Sequence, residues 1–108
     1  MRFEEKQILA VAEFMQSIKP KEGVNDRTRL EECSLMYNSD MPDSVILKYR
    51  LMGYRDGNEI DELRFLCFDK DGNSKDVRSI INDPNARWSF YHHCKELYMD
   101  GGVLKQKK

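Results

Sequence analysis

The run SVILKYRLMGYRDGNEIDELRFLCFD, residues 44–69, decides the fold. Its first half alternates: Val45, Leu47, Tyr49 and Leu51 share one side of an extended chain, and Ile46, Lys48, Arg50, Met52 and Tyr54 share the other. Arg55-Asp56-Gly57 interrupts the pattern, and a second extended run follows from Asn58 to Asp69. This is the signature of a β-hairpin. Read as a three-residue loop, it gives Gly57 the left-handed position that closes such loops. That loop sets Leu47 opposite Phe65, Tyr49 opposite Leu63 and Val45 opposite Cys67 on one face. On the reverse face it sets Arg50 opposite Glu62, Met52 opposite Ile60 and Ile46 opposite Leu66. Only Lys48 against Arg64 is an awkward pair. A slip of one residue would exchange the faces of the second strand.

Downstream, Lys70-Asp71-Gly72 repeats the turn grammar and starts a third strand from Asn73 to about Ile80, with Val77 opposite Phe65. The meander therefore spans 44–80. Asn82-Asp83-Pro84 opens a helix with Asp83 as cap and Pro84 in its first turn. That helix is expected over 83–99, ended by Asp100-Gly101-Gly102, with 103–108 a frayed basic tail. Upstream, Ile8, Val11, Met15 and Ile18 recur at helical spacing, predicting a helix over 3–19 that Pro20 and Gly23 stop. Asn25 to Met41 reads two ways. Thr28 with Glu31 makes a capping box for a short helix, whereas Cys33, Leu35 and Tyr37 alternate as in a strand. The strand is preferred, because Asn38-Ser39-Asp40-Met41-Pro42 then turns into the next one. The expectation is an α+β single domain over 1–108. It consists of an N-terminal helix, an antiparallel meander of three or four strands, and a C-terminal helix packed on one sheet face.

Composition bounds the function. The chain has 108 residues, 18 Lys+Arg against 19 Asp+Glu, one Trp, five Tyr and five Phe. Its aromatics exclude a disordered chain, and its net charge of −1 excludes strongly basic nucleic-acid binders and acidic DNA mimics. The charged start Met1-Arg2-Phe3-Glu4-Glu5-Lys6 lacks the apolar stretch of a signal peptide, and no run approaches a membrane span. Cys33, Cys67 and Cys94 are odd in number and widely spaced, which suits reduced thiols and a cytoplasmic protein.

No motif carries chemistry. Asp69-Lys70-Asp71-Gly72-Asn73 begins like a calcium loop but has Ser74 where Gly is needed and Ile80 where a bidentate Glu belongs. His92-His93-Cys94 is no zinc motif, since neighbours on a helix point about 100° apart. Neither a nucleophile elbow nor a phosphate-cradling loop is present. No catalytic residue, metal or cofactor is called for, and a small enzyme stays a distant alternative.

Two features suit a partner. The C-terminal helix carries Trp88, Tyr91, Lys95 and Tyr98 on one stripe and Phe90, Cys94 and Leu97 on another, the second expected to pack inward. A lone Trp in a small domain is ordinarily core, but Trp and Tyr are also the residues that anchor interfaces. The second sheet face mixes Lys48, Arg50, Arg64 and Arg78 with Met52 and Tyr54. Charge is also uneven along the chain, with six basic and nine acidic residues over 1–43 and twelve and ten over 44–108. Lys48, Arg50, Met52, Tyr54, Arg64, Arg78, Trp88 and Tyr91 are thus the candidate contacts. The leading expectation is a protein-interaction module, of an inhibitor, immunity, antitoxin or adaptor kind. Nucleic acid is the alternative ligand, and homodimerisation through the face or an open edge strand is compatible with either. The order helix, meander, helix resembles that of double-stranded RNA-binding domains. The likeness is one of element order, since the lysine cluster of those domains is replaced here by Asp83-Pro84-Asn85-Ala86-Arg87.

Overall fold

The computed structural model describes residues 3–18, 25–101 and 103–106. In chain order the elements are α1 (Glu5–Ser17), β1 (Asp26–Tyr37), β2 (Val45–Arg55), β3 (Asn58–Phe68), β4 (Ser74–Asp76), α2 (Val77–Ile80), α3 (Pro84–His92), β5 (Lys95–Asp100) and β6 (Val103–Gln106). The strands form one six-stranded sheet in the order β4-β3-β2-β1-β5-β6, with every pairing antiparallel. The chain is therefore α+β, with more strands than the three or four expected. Asn25–Met41 contains a strand, as preferred.

The hairpin at the centre is tighter than the expected three-residue loop. Arg55 pairs with Asn58, and the two-residue turn Asp56-Gly57 has positive φ at both positions, 53° and 80°. Asp-Gly favours this mirror-image turn because its twist matches that of the flanking strands. The register therefore slips by one from the expected one: Leu47 lies opposite Leu66, Tyr49 opposite Arg64 and Arg50 opposite Leu63. A slip of one exchanges the faces of β3. Phe65 and Cys67 join Ile46 rather than Leu47, and Arg64 joins Tyr49. The awkward Lys48–Arg64 pair disappears, and Lys48 stands opposite Phe65.

Two cores result, one on each face. Val45, Leu47, Tyr49, Leu51, Leu66 and Phe68 pack with Val11, Phe14 and Met15 of α1. Phe14 sits 5.5 Å from Tyr49 and 6.1 Å from Phe68, ring centre to ring centre. Ile46, Phe65, Cys67, Val77 and Phe90 form the second core, with Tyr91 and Cys94 against it. Tyr91 stacks on Phe65 at 4.2 Å.

A buried amide fastens each side. Gln7, 1% exposed, donates from Nε2 to the carbonyls of Asp43 (2.7 Å) and Phe68 (3.0 Å) and accepts the Glu4 N–H. Asn38, fully buried, donates from Nδ2 to the Phe90 carbonyl at 2.9 Å and accepts the Asp40 N–H. A helix end must find partners for its last carbonyls, and Asn38 supplies one here.

The C-terminal third differs most from expectation. The helix begins as predicted, with the Asp83 carboxylate accepting the Asn85 N–H. It ends at His92 instead of running on to position 99. Asp100-Gly101, read as a helix stop, is the start of the turn between β5 and β6, with Gly101 at φ 60°. Residues 103–106, expected to be frayed, are β6, whereas 107–108 lie outside the described residues, as does Lys19 of the expected first helix. Leu97 is buried in the α1-side core with Leu104, so it does not share a core with Phe90 and Cys94. The third meander strand keeps its register but stops at Asp76, whose side chain caps α2 by accepting the Arg78 N–H. Alternation had nothing to say about that cap. With two strands after α3, the element order also departs from the order shared with double-stranded RNA-binding domains.

Candidate interaction face

Lys48, Arg50, Met52 and Tyr54 occupy alternate positions of β2 and so share one face, the face of Ile46. Leu63, opposite Arg50, joins them. Near α3 this face is covered by Phe90 and Tyr91. Toward the Asp56-Gly57 turn it is open: Tyr54 is 56% exposed and Leu63 49%, with Met52 half-buried. Trp88, three residues before Tyr91 on α3, is 64% exposed, its ring 5.1 Å from His92. Three large apolar side chains in water are worth explaining where a core of the same residues lies nearby.

The cations among them are already paired. Arg50 grips Asp61 bidentately, Nε and Nη2 each 3.1 Å from a carboxylate oxygen. The Arg50 hydrogen bonds hold the Asp61 carboxyl below its ordinary 3.8, and Asp61 in turn raises Arg50. Lys48 Nζ reaches Glu32 at 2.9 Å and stands 5.9 Å from the centre of the Phe65 ring. The Lys48 and Arg50 charges of the open face are thus neutralised internally, while the exposed Arg27, opposite Tyr54, adds a cation beside it.

Arg64 and Arg78 do not belong to it. The slipped register puts Arg64 on the α1 face, 3.2 Å from Asp76 and 3.5 Å from Glu62. Arg78 leads α2 and reaches the same Asp76 at 3.1 Å. Burial pushes the Asp76 carboxyl up, but hydrogen bonds from Arg78 and Arg64 outweigh it and hold the group below its ordinary 3.8. The two arginines hold a turn together around one carboxylate. Of the eight residues singled out in the sequence, β2 brings four together. Tyr91 joins them through Phe65, Trp88 follows on α3, and two lie elsewhere. Leu63 was missed because the three-residue loop placed it in the core; the signal that finds it is the Asp-Gly dipeptide.

The other motifs have local uses. The Asp69 carboxylate accepts the Asp71 and Asn73 N–H groups at 3.0 and 2.9 Å and so builds the turn. Ring atom Nδ1 of His93 lies 2.7 Å from the Ser89 carbonyl. Among the described residues, no three His, Cys, Asp or Glu side chains gather as a ligand set. Burial pushes the Cys67 thiol up to about 11, which leaves it a poor nucleophile at neutral pH. No helix is long and apolar enough to cross a membrane among the described residues. Fold and face together define an α+β protein with an N-terminal helix and a six-stranded antiparallel sheet. The chain matches no protein-family model, no curated protein and no solved structure.

Proposed function

We propose that the chain is a protein-interaction module that docks a protein partner through the open half of the Ile46 face, acting as an inhibitor, immunity-type protein or adaptor in the cytoplasm. The observation that carries this reading is the exposure of Tyr54 and Leu63 beside Lys48 and Arg50, whose charges are tied to carboxylates, with Trp88 also exposed on α3. An aromatic and aliphatic centre ringed by polar groups is how protein interfaces are built. The Arg50–Asp61 and Lys48–Glu32 pairs also restrain long side chains before docking, which lowers the ordering cost of association. Nucleic acid fits less well, because the two β2 cations of the face are tied to carboxylates and Tyr54 is the only aromatic at the open end of β2.

The test is affinity capture from the native host by the wild-type chain and two variants. Tyr54→Ser with Leu63→Asp alters the open face, and Leu9→Ser alters an exposed position of α1. A protein retained by wild type and Leu9→Ser but lost by the face variant supports the reading. A retained set identical for all three overturns it. Duplex RNA binding that falls steeply with salt would favour the alternative.

A further inference from the structure

β1 pairs with β2 from Asp26 to Met36 but with β5 only at Met36 and Tyr37. From Asp26 to Leu35 its outer edge has no strand beside it among the described residues. A groove of about 260 Å³ lies there, walled by Cys33, Ser34 and Leu35 on one side and by Leu97, Met99 and Leu104 on the other. An unpaired edge of this length is a template for another strand.

The charges on that edge are ordered. Arg27 and Arg29 precede Leu30, and Glu31 and Glu32 follow it, all four exposed. In the single chain Arg29 pairs with its own Glu31, and Glu32 with Lys48. We propose that β1 pairs antiparallel with β1 of a second copy of this chain, about a two-fold axis at Leu30. That pairing exchanges these contacts for ones between copies. Glu31 is the extra residue of a bulge, since the pairing with β2 steps from Leu30 to Glu32. Counting outward from Leu30, Arg29 of one copy therefore meets the Glu31–Glu32 pair of the other, Thr28 meets Cys33, and Arg27 meets Ser34. The bulge occurs once in each direction, so the register closes on itself as a two-fold interface requires. The first residues of each β1 then enter the groove beside Cys33, Ser34 and Leu35 of the other copy. Parallel alignment would set arginine beside arginine and glutamate beside glutamate, so the charges that discourage indiscriminate pairing favour this one complement. In the single chain, Asp26 Oδ1 accepts the Thr28 N–H at 3.0 Å and satisfies that amide until a strand arrives.

Sedimentation velocity over a concentration series tests the pairing with the full chain. Wild type is expected to move from one copy to two as concentration rises. Arg29→Glu alone, or Glu31→Arg combined with Glu32→Arg, sets like charges against each other at both two-fold contacts and should weaken self-association roughly tenfold. Mixed together, the two variants restore opposite charges at both contacts and should form a heterodimer as tight as the wild-type dimer. A wild type that stays a single copy at every concentration overturns the proposal, and so does a mixture that associates no better than either variant. Tyr54→Ser with Leu63→Asp should leave the dimer intact, which separates this result from that of the docking face.

Discussion

On the α1 side of the sheet, nine buried residues among those described run from Val11 and Val45 to Leu97 and Leu104; on the other side, five cluster at one end. The same strand supplies both sides, since β2 alternates Val45, Leu47, Tyr49, Leu51 with Ile46, Lys48, Arg50, Met52. The difference lies in what covers them. α1 is 13 residues long and reaches Tyr49 as well as Phe68, whereas α3 has nine residues and reaches Phe65. Stability is therefore concentrated on one face, and half of the other face is left without a covering element among the described residues.

The sharpest way to break that contrast is to open the larger core. Phe68, 2% exposed, touches α1 through Phe14 and carries the carbonyl that Gln7 grips. Phe68→Ala should cost about 3–5 kcal/mol, the range for truncating a buried aromatic. Equilibrium urea unfolding measures it, and a loss below about 1 kcal/mol would mean the α1-side core does not carry the fold.

A smaller effect separates the two fastenings. Gln7 ties α1 to the Phe68 and Asp43 carbonyls, and Asn38 ties α3 through Phe90. Gln7→Leu removes the side-chain partner of the Phe68 and Asp43 carbonyls and should cost about 1–3 kcal/mol. Asn38→Leu removes the partner of the Asp40 N–H and one of the partners of the Phe90 carbonyl, which keeps the His93 N–H, and should cost about 1 kcal/mol. Native-state hydrogen exchange distinguishes them. The first variant should lower protection in α1 and leave α3 unchanged, and the second should do the reverse. Protection lost across both helices in either variant would show that the two faces unfold as one.

The part of this arrangement that could be read in the sequence is the part set by local chemistry. Alternation placed β2, helical spacing placed α1, and Asp83-Pro84 placed the start of α3. What could not be read turns on choices between two local solutions that differ by one residue or one distant contact. Gly57 suits the end of a three-residue loop and the second position of a two-residue one, yet only the second keeps Arg64 beside Asp76 and Leu63 in water. Lys95-Glu96-Leu97-Tyr98-Met99 continues the helical stripe of α3 and alternates equally well. The choice is made by Asn38, 52 positions from Phe90 in the chain, which caps the helix early, and by Leu97, which is buried with Leu104 in the α1-side core. Gln7 and Asn38 were passed over for the same reason, since a polar residue in an apolar stripe declares its value only through the carbonyls it meets.

The smallest effect is the most informative about the open half. Tyr54 and Leu63 leave about half of their surface in water. The hydrophobic return for a side chain scales with the area it removes from solvent, so each contributes little to folding. Gly53, next to Tyr54, is the opposite case: its φ is 132°, and a Cβ there would press on the Thr28 Cα at 2.9 Å and on the Arg27 carbonyl. Position on the strand is thus constrained by backbone and core, while the outward side chains are not. Tyr54→Ser combined with Leu63→Asp should change unfolding free energy by no more than about 0.5 kcal/mol, as for surface substitutions generally. Urea unfolding beside the Phe68→Ala variant gives the comparison directly. A loss of several kcal/mol in the face variant would make Tyr54 and Leu63 structural, and the open half would be core in use if not in exposure.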